Sequence, residues 1–200
     1  MIIVLTGIDG SGKSTAARAL VAAVKAGGGE ALLLNNHAGR RSMSVLGDRL
    51  GVRLPPRLAD AIETTVRGWN VLVSHLRASR HPGLVVMDRH LHCQLALRDT
   101  KGIPQGRLLP WLLAALPQPA AVVHLEVDPA TAHQRILARG ADNETLEDLA
   151  AFHEAYRRLP GYGTFVRLDA AVTPQELAQQ LLAVVNRPLP ATGTLSPDRT

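Results

Sequence analysis

The sequence predicts an α/β fold, a three-layer arrangement in which helices cover both faces of a five-stranded parallel sheet. Short apolar runs alternate with helical runs along most of the chain, which is typical of parallel strands joined by crossover helices. The 200 residues and the hydrophobic fraction of 46% also suit one domain with a sizeable core. The five predicted strands are residues 2–5, 30–35, 84–87, 121–127 and 164–168.

Helical runs fill most of the connections between these strands. Asp128 supplies an N-cap, and Pro129 follows it at the first position of a helix that runs to Arg139. The connection at residues 36–56 is polar and Arg-rich, with a short helix around residues 45–50. The other predicted helices are residues 15–25, 58–78, 91–98, 106–116, 145–158 and 174–186. Residues 187–200 are rich in Pro and Thr and lack periodicity, so we expect a flexible tail after a domain of residues 1–186.

Composition excludes several classes of protein. No apolar run reaches the roughly 18 residues that a membrane span needs. The single cysteine, Cys93, rules out an intrachain disulfide. The first apolar run has no basic residues before it, so we interpret it as a core strand of a cytoplasmic protein rather than a signal peptide. The net charge of +5 comes mostly from dispersed arginines rather than basic runs with interleaved aromatics, which disfavours a nucleic-acid partner.

Residues 7–14 read GIDGSGKS, the pattern G-x-x-x-x-G-K-S of a phosphate-binding loop. The loop lies between the first predicted strand and the first predicted helix. Its glycines let the backbone N–H groups face an anion, and the helix N-terminus adds the positive end of its dipole. Lys13 can reach the β- and γ-phosphates, and the Ser14 hydroxyl can ligate Mg²⁺. We therefore predict that a nucleoside triphosphate binds at Gly7, Asp9, Gly10, Ser11, Gly12, Lys13, Ser14 and Thr15.

Asp88 and Arg89 follow a predicted strand directly. Ligands of open α/β sheets bind at the carboxyl ends of the strands, where these two side chains are expected. A carboxylate at that position can hold Mg²⁺ or act as a base, and an arginine can grip a phosphate with two hydrogen bonds. The structural alternative is a helix N-cap followed by a surface arginine.

Arg135 and Arg139 are four residues apart, so they share one face of a predicted helix. A polar loop follows at residues 140–144. A basic helix end that runs into a flexible loop suits a lid, at about residues 140–145, that brings positive charge to a phosphoryl group. The alternative is a solvated helix face whose basic residues offset the helix dipole.

Together these motifs resemble the thymidylate kinase family of nucleoside monophosphate kinases. The family's loop, G-x-D-G-x-G-K-[ST], is matched through Asp9, and its D-R-[YH] motif is matched by residues 88–90. Its V-D-P turn and its R-x(3)-R-G helix resemble residues 127–129 and 135–140. Arg67 lies 21 residues before Asp88, the spacing of a helix arginine that grips the acceptor phosphate in that family. The resemblance covers about residues 1–185.

The resemblance implies a P-loop kinase domain that uses ATP and Mg²⁺, acts on a small phosphorylated acceptor and pairs as a homodimer through long helices. Because the loop contains no arginine, the lid arginines are expected to supply charge in the transition state. The implied catalytic residues are Asp9, Lys13, Asp88, Arg89, Arg135 and Arg139. Ser14 and Asp88 are the implied metal ligands. The resemblance implies that Arg67 and Arg89 hold the acceptor phosphate. The full set of predicted substrate-binding residues is Asn36, His37, Arg67, Arg89, His90 and Arg98.

The chain departs from the family pattern on the acceptor side. The R-E-P-G-G-T segment after the second strand is replaced by NHAGRR at residues 36–41, and Leu97 and Arg98 stand where the family has Tyr and Gln. Hydrogen-bonded pockets discriminate strongly between substrates. We therefore predict phosphoryl transfer to a nucleoside monophosphate or nucleotide-like acceptor other than dTMP. The open alternatives are a kinase of a nucleoside or other hydroxyl metabolite, a polynucleotide-end kinase, and a regulatory P-loop NTPase.

Overall fold

The computed structural model describes residues 1–36, 55–140 and 144–187, and it confirms the predicted α/β fold. Within these ranges, five strands form one parallel sheet in the order β2-β3-β1-β4-β5. Because β1 lies between β3 and β4, the segments that follow β1 and β3 emerge side by side at one edge of the sheet. The strands are β1 (Ile2–Thr6), β2 (Ala31–Asn35), β3 (Leu84–Asp88), β4 (Ala121–Glu126) and β5 (Val166–Asp169).

The described ranges contain seven α-helices, which connect or follow these strands. They are α1 (Lys13–Ala26), α2 (Pro56–Ala78), α3 (Leu91–Thr100), α4 (Leu108–Ala115), α5 (Pro129–Arg139), α6 (Leu146–Arg157) and α7 (Pro174–Asn186). The predicted N-cap of α5 is confirmed, because the Asp128 carboxylate accepts hydrogen bonds from the N–H groups of Ala130 and Thr131. Thr145 is the N-cap of α6 rather than its first residue, and it forms a capping box with Asp148.

The sheet buries side chains on both faces, as a parallel sheet must. Ile3 and Leu5 of β1 pack into the larger core, which also contains residues of α1, α3, α5, α6 and α7. Val4 faces the opposite side and packs with Val85 and Met87 in a smaller core near the end of α2. Helices therefore cover both faces of the sheet, as the alternation of apolar and helical runs in the sequence predicts.

The fifth strand begins later than predicted. Residues 162–164 form a 3₁₀ turn, and the strand itself is Val166–Asp169. Gly161 adopts a left-handed conformation with φ of 82°, and its carbonyl accepts a hydrogen bond from the Thr164 hydroxyl at 2.7 Å. This local hydrogen bond stabilises a turn at residues whose composition suggests a strand.

Three of the predicted features lie partly or wholly outside the described residues: the short helix at residues 45–50, the centre of the lid at residues 141–143, and the tail from residue 188. His37 lies outside them too. Within the part of the chain that is described, no helix combines the length and the apolar character needed to cross a membrane.

Candidate active site

The phosphate loop curls tightly between β1 and α1. Gly7, Gly10 and Gly12 all have positive φ, at 138°, 80° and 85°. A side chain at Gly10 would overlap the main-chain carbonyl of Ala132 in α5, whereas a Cβ at Gly12 would meet no atom within 4 Å. The loop therefore needs glycine at position 10 for both conformation and space, and at position 12 for conformation alone.

Lys13 is buried inside this loop. Its ammonium donates hydrogen bonds to the carbonyl oxygens of Gly7 at 2.8 Å and Ile8 at 2.5 Å, and it lies 3.7 Å from the Asp9 carboxylate. Burial lowers the pKa of Lys13, and the nearby Asp9 opposes that shift. The loop thus concentrates one cation among main-chain groups at the start of α1.

Ser14 and Asp88 meet where β1 and β3 end. The Ser14 hydroxyl donates to Asp88 Oδ2 at 2.5 Å. The other carboxylate oxygen, Asp88 Oδ1, is buried without a hydrogen-bond partner in the described ranges. A hydroxyl beside a carboxylate with one unused buried oxygen is a donor set that suits Mg²⁺, which prefers oxygen ligands.

Arg89 reaches back to the phosphate loop. Its guanidinium forms a short ion pair with Asp9 Oδ1, and both side chains are partly buried. Burial acts to lower the pKa of Arg89, but nearby acidic groups, Asp9 foremost, outweigh it and raise the pKa. Two predicted site residues from separate segments of the sequence are therefore brought together.

A cavity of about 260 Å³ lies on the other side of the loop, between α1, α5 and the start of α7. Gly10, Thr15, Arg135, Val172 and Pro174 are among its lining residues. Arg135 Nη1 donates to the carbonyl of Ala170 at 2.9 Å, so this predicted lid arginine borders the cavity wall. Arg139, one turn further along α5, is exposed.

On the acceptor side, a set of buried polar side chains joins α2 to α3. Arg67 is 1% exposed; its Nε donates to Gln94 Oε1 at 3.0 Å, and its Nη2 lies 3.4 Å from Glu63 Oε1. Its remaining nitrogen, Nη1, is buried and finds no hydrogen-bond partner in the residues described. A buried guanidinium with an unused donor is a group that can still bind an anion or a carbonyl.

The same set continues to Arg98. Gln94 Nε2 donates to Asp60 Oδ1 at 3.2 Å, and Arg98 Nε donates to Asp60 Oδ2 at 3.0 Å. Arg98 also donates to the Gln105 carbonyl at 3.0 Å. We call Asp60, Glu63, Arg67, Gln94 and Arg98 the α2–α3 network. Asp60, Glu63 and Gln94 were not predicted as site residues, although their polar character at helix spacing from Arg67 or Arg98 was a signal that could have identified them.

Asn36 and His90 are enclosed by protein groups. Asn36 is fully buried and bonds Arg89 and Ser74, while His90 Nε2 lies 3.0 Å from His75 Nε2. Burial lowers the pKa of His90 well below its ordinary value, so the ring is neutral. The structure gives these two residues protein partners at the predicted site, and their direct contact with a substrate stays a prediction.

A second group that the sequence analysis missed lies beneath the phosphate loop. The hydroxyl of Tyr156, a fully buried residue of α6, donates to Cys93 Sγ at 2.9 Å. Burial raises the pKa of Tyr156, while a main-chain hydrogen bond from Gly7 opposes the shift. Tyr156 therefore links the loop to α3, and an isolated tyrosine on a helix gives no sequence signal for that role.

Comparison with known proteins agrees with this geometry. The sequence model of the family described as thymidylate kinase matches residues 5–181. The thymidylate kinase of Gluconobacter oxydans (strain 621H) is 30% identical over 96% of this chain and 97% of its own length. The thymidylate kinase of Xanthomonas oryzae pv. oryzae (strain PXO99A) is 29% identical over 92% of this chain and 82% of its own. A probable thymidylate kinase of Pyrobaculum calidifontis is 29% identical over 94% and 96%.

The matched region contains the phosphate loop, both strand ends that form the site, and helices α1 to α6. The match confirms the resemblance that the motifs indicate. The chain belongs to the thymidylate kinase family, and it is an ATP- and Mg²⁺-dependent phosphotransferase acting on a nucleotide.

Proposed function

We propose that this enzyme transfers the γ-phosphoryl group of ATP to a nucleoside monophosphate, or a nucleotide-like small acceptor, other than dTMP. The observation that carries the proposal is the convergence of Lys13, the Ser14–Asp88 pair and the Asp9–Arg89 pair at one edge of the sheet. Donor phosphates, metal and acceptor phosphate each find charges of the required sign there.

The donor side binds ATP through the main-chain N–H groups of the loop and through Lys13. Ser14 and Asp88 hold Mg²⁺, which neutralises charge on the phosphates when bound. The cavity bordered by Arg135 and Val172 accepts the donor base, because it adjoins the loop and is lined partly by apolar side chains. Arg135 and Arg139 bring positive charge at the lid, over residues 140–145.

The acceptor side orients the attacking oxygen. Arg89 and Arg67 hold the acceptor phosphate, with His37, His90 and Arg98 as further substrate-binding residues. Asp9 stays close to the reacting groups through its ion pair with Arg89. Phosphoryl transfer depends mainly on positioning and charge neutralisation, so fixed cations around the acceptor are the protein's main contribution.

The α2–α3 network supports an acceptor other than dTMP. Arg98, which stands where the family has Gln, is held by the buried Asp60 carboxylate, and Gln94 bonds the same carboxylate. Paired charges at this position offer a base or sugar hydrogen-bonding groups that differ from those of Tyr and Gln. The relatives are named thymidylate kinases, so dTMP is the acceptor against which the proposal has to be tested.

The test is a coupled ATP-consumption assay with Mg²⁺ over nucleoside monophosphates, nucleosides and small phosphorylated metabolites, with products identified by mass. We expect one acceptor to gain a single phosphoryl group with a kcat/KM well above that for dTMP. A preference for dTMP would overturn the changed acceptor and leave the kinase intact. Lys13→Ala is the control, because it removes the loop cation; full turnover by that variant would contradict the assigned site.

We also propose a homodimer formed through α2. One side of this helix exposes an apolar stripe in which Trp69 is 66% exposed. Large exposed apolar patches mark interaction surfaces, and aromatic residues are enriched in them. The stripe consists of Leu58, Val66, Trp69, Leu72 and Leu76.

Light scattering after size-exclusion chromatography tests the dimer. We expect the unaltered chain to be dimeric and Leu72→Glu to be monomeric, because the new charge would be buried in the interface. Leu137→Glu is the matched control, since Leu137 is exposed on α5, away from the stripe. A monomeric unaltered chain would contradict the proposal.

A further inference from the structure

The turn after β3 adopts a conformation that its sequence does not favour. Arg89 has φ of 74°, and no other non-glycine residue in the described ranges has a positive φ. Left-handed backbone crowds a Cβ, so it persists only where the surroundings hold it. The Arg89 main chain is held on both sides, because its N–H donates to the Leu5 carbonyl at 3.1 Å and its own carbonyl accepts from Asn36 Nδ2 at 2.8 Å.

Asn36 is the residue that closes this turn. It follows β2, is fully buried, and its main-chain N–H donates to the Asp88 carbonyl at 3.0 Å. Because the Arg89 carbonyl can only accept, the amide nitrogen of Asn36 has to face it. The amide oxygen then faces Ser74, whose hydroxyl donates to it at 2.7 Å. Ser74 therefore holds the end of the amide that faces away from the turn.

Helix α2 contacts the turn at a second point. His75, the neighbour of Ser74, places its Nε2 3.0 Å from Nε2 of His90, the residue after Arg89. Both imidazoles are buried, and their rings meet edge to face. The helix that contains Arg67 is thus fastened to the turn that contains Asp88 and Arg89 by two adjacent residues.

We propose that Asn36 and Ser74 are positioning residues for Arg89, because their hydrogen bonds hold the left-handed turn that aims its guanidinium at the acceptor phosphate. What Arg89 binds rests on the proposed function, whereas the holding of the turn does not. Asn36 would then act through Arg89 rather than by touching the substrate itself.

Steady-state kinetics with the acceptor that the ATP-consumption assay identifies test the role in catalysis. Asn36→Asp keeps the shape but replaces the donor to Arg89 with a second acceptor, and Ser74→Ala removes the hydroxyl that holds the amide oxygen. We expect kcat/KM for the acceptor to fall about ten- to a hundredfold in both, as for other supporting contacts, with KM for ATP unchanged. Ser74→Thr, which keeps the hydroxyl, should restore most of the loss.

Thr65→Ala is the matched control for Ser74→Ala. Thr65 lies on the same helix, but its hydroxyl donates to the Ala61 carbonyl of that helix and it is exposed. An equal loss in Thr65→Ala and Ser74→Ala would overturn the proposal, because it would show a general effect on α2. An equal change in KM for ATP and for the acceptor would overturn it too.

A stability measurement tests the holding of the turn without using activity. Glycine adopts the left-handed region freely, so a glycine at position 89 needs less restraint than alanine. Without Asn36, an alanine at position 89 can relieve its strain by leaving the left-handed region, whereas glycine has no strain to relieve. We therefore expect Asn36→Ala to lower Tm more in an Arg89→Gly background than in an Arg89→Ala background. Equal losses in the two backgrounds would overturn this proposal even if the kinase activity is confirmed. A difference found in a chain that phosphorylates no acceptor would overturn the proposed function alone.

Discussion

The phosphate loop and the α2–α3 network lie at the same edge of the sheet, but they are built from different groups. The loop depends on backbone: three left-handed glycines, main-chain carbonyls around Lys13, and a helix terminus. The network depends on side chains of two helices that bond one another. Backbone geometry tolerates few sequences, whereas a set of paired side chains can be exchanged for another set. A site built like the loop is therefore harder to vary in sequence than a site built like the network.

The largest effect is expected from a substitution that distorts the backbone of the phosphate loop. Gly10→Ala introduces both a strained φ and an overlap with the Ala132 carbonyl, so the loop has to shift. A shift of about 1 Å in a positioning element costs on the order of a hundredfold in rate. We expect kcat/KM for ATP to fall by about that factor or more, measured on protein whose fold is checked by circular dichroism.

Gly12→Ala is the matched variant, because Gly12 has a similar φ of 85° and open space around its Cβ position. Gly12→Ala should be destabilised only by the backbone strain of a left-handed alanine, which is roughly 1–2 kcal/mol. If kcat/KM for ATP fell equally in Gly10→Ala and Gly12→Ala, contact with α5 would not be what shapes the loop.

The second effect tests whether the acceptor side acts as a unit. Arg98→Gln leaves the Asp60 carboxylate, 3% exposed, without its cationic partner. We expect the acceptor KM to rise with KM for ATP unchanged, and the free energy of unfolding to fall. The double variant Asp60→Asn/Arg98→Gln removes the carboxylate charge as well. Its free energy of unfolding should therefore be about 1–2 kcal/mol higher than the sum of the two single losses predicts. Urea unfolding of all four chains measures this; strict additivity would show that the pair is not coupled.

The same contrast explains what the sequence could predict. The phosphate loop is local, so residues 7–14 indicated its conformation and its place between β1 and α1. Asp88 could be placed as well, because parallel strands end at a shared edge. The α2–α3 network could not, since Asp60 and Gln94 are 34 residues apart and meet only through helix packing. The positive φ of Arg89 and the 3₁₀ turn at residues 162–164 likewise depend on hydrogen bonds that sequence periodicity does not report.

The third effect is a loss of stability at low pH, to which one buried histidine on the donor side and one on the acceptor side contribute. Burial lowers the pKa of His92, on α3, to about 4, and burial with nearby positive charge lowers that of His124, below the loop, to about 3. In the unfolded chain both return to about 6.5. Below that pH the unfolded state binds protons that the folded state does not, so stability is present above pH 6.5 and falls as the pH drops towards 4.

Urea unfolding at several pH values measures that slope. His92→Phe and His124→Phe should each flatten it by up to about 1.4 kcal/mol per pH unit. His124→Phe should also cost roughly 1 kcal/mol at neutral pH, because His124 bonds the Thr6 hydroxyl at 3.1 Å just before the loop, whereas His92 Nδ1 has no partner within the described part of the chain. His133→Gln, at a half-exposed site on α5, is the control, and an unchanged slope in both Phe variants would contradict the assignment.

The smallest expected effect uses an ion pair of the same chemistry as Arg98–Asp60 but on the surface. Arg158 Nη2 lies 2.6 Å from Asp99 Oδ2 and joins α6 to α3, with side chains 57% and 33% exposed. Water screens the pair, so its short distance does not make it strong. A double-mutant cycle of Arg158→Gln and Asp99→Asn should give a coupling of about 0.5 kcal/mol or less, declining with added salt. A coupling as large as that of Arg98–Asp60 would show that distance rather than burial sets the strength of these pairs, and it would remove the reason for treating the α2–α3 network as a special environment.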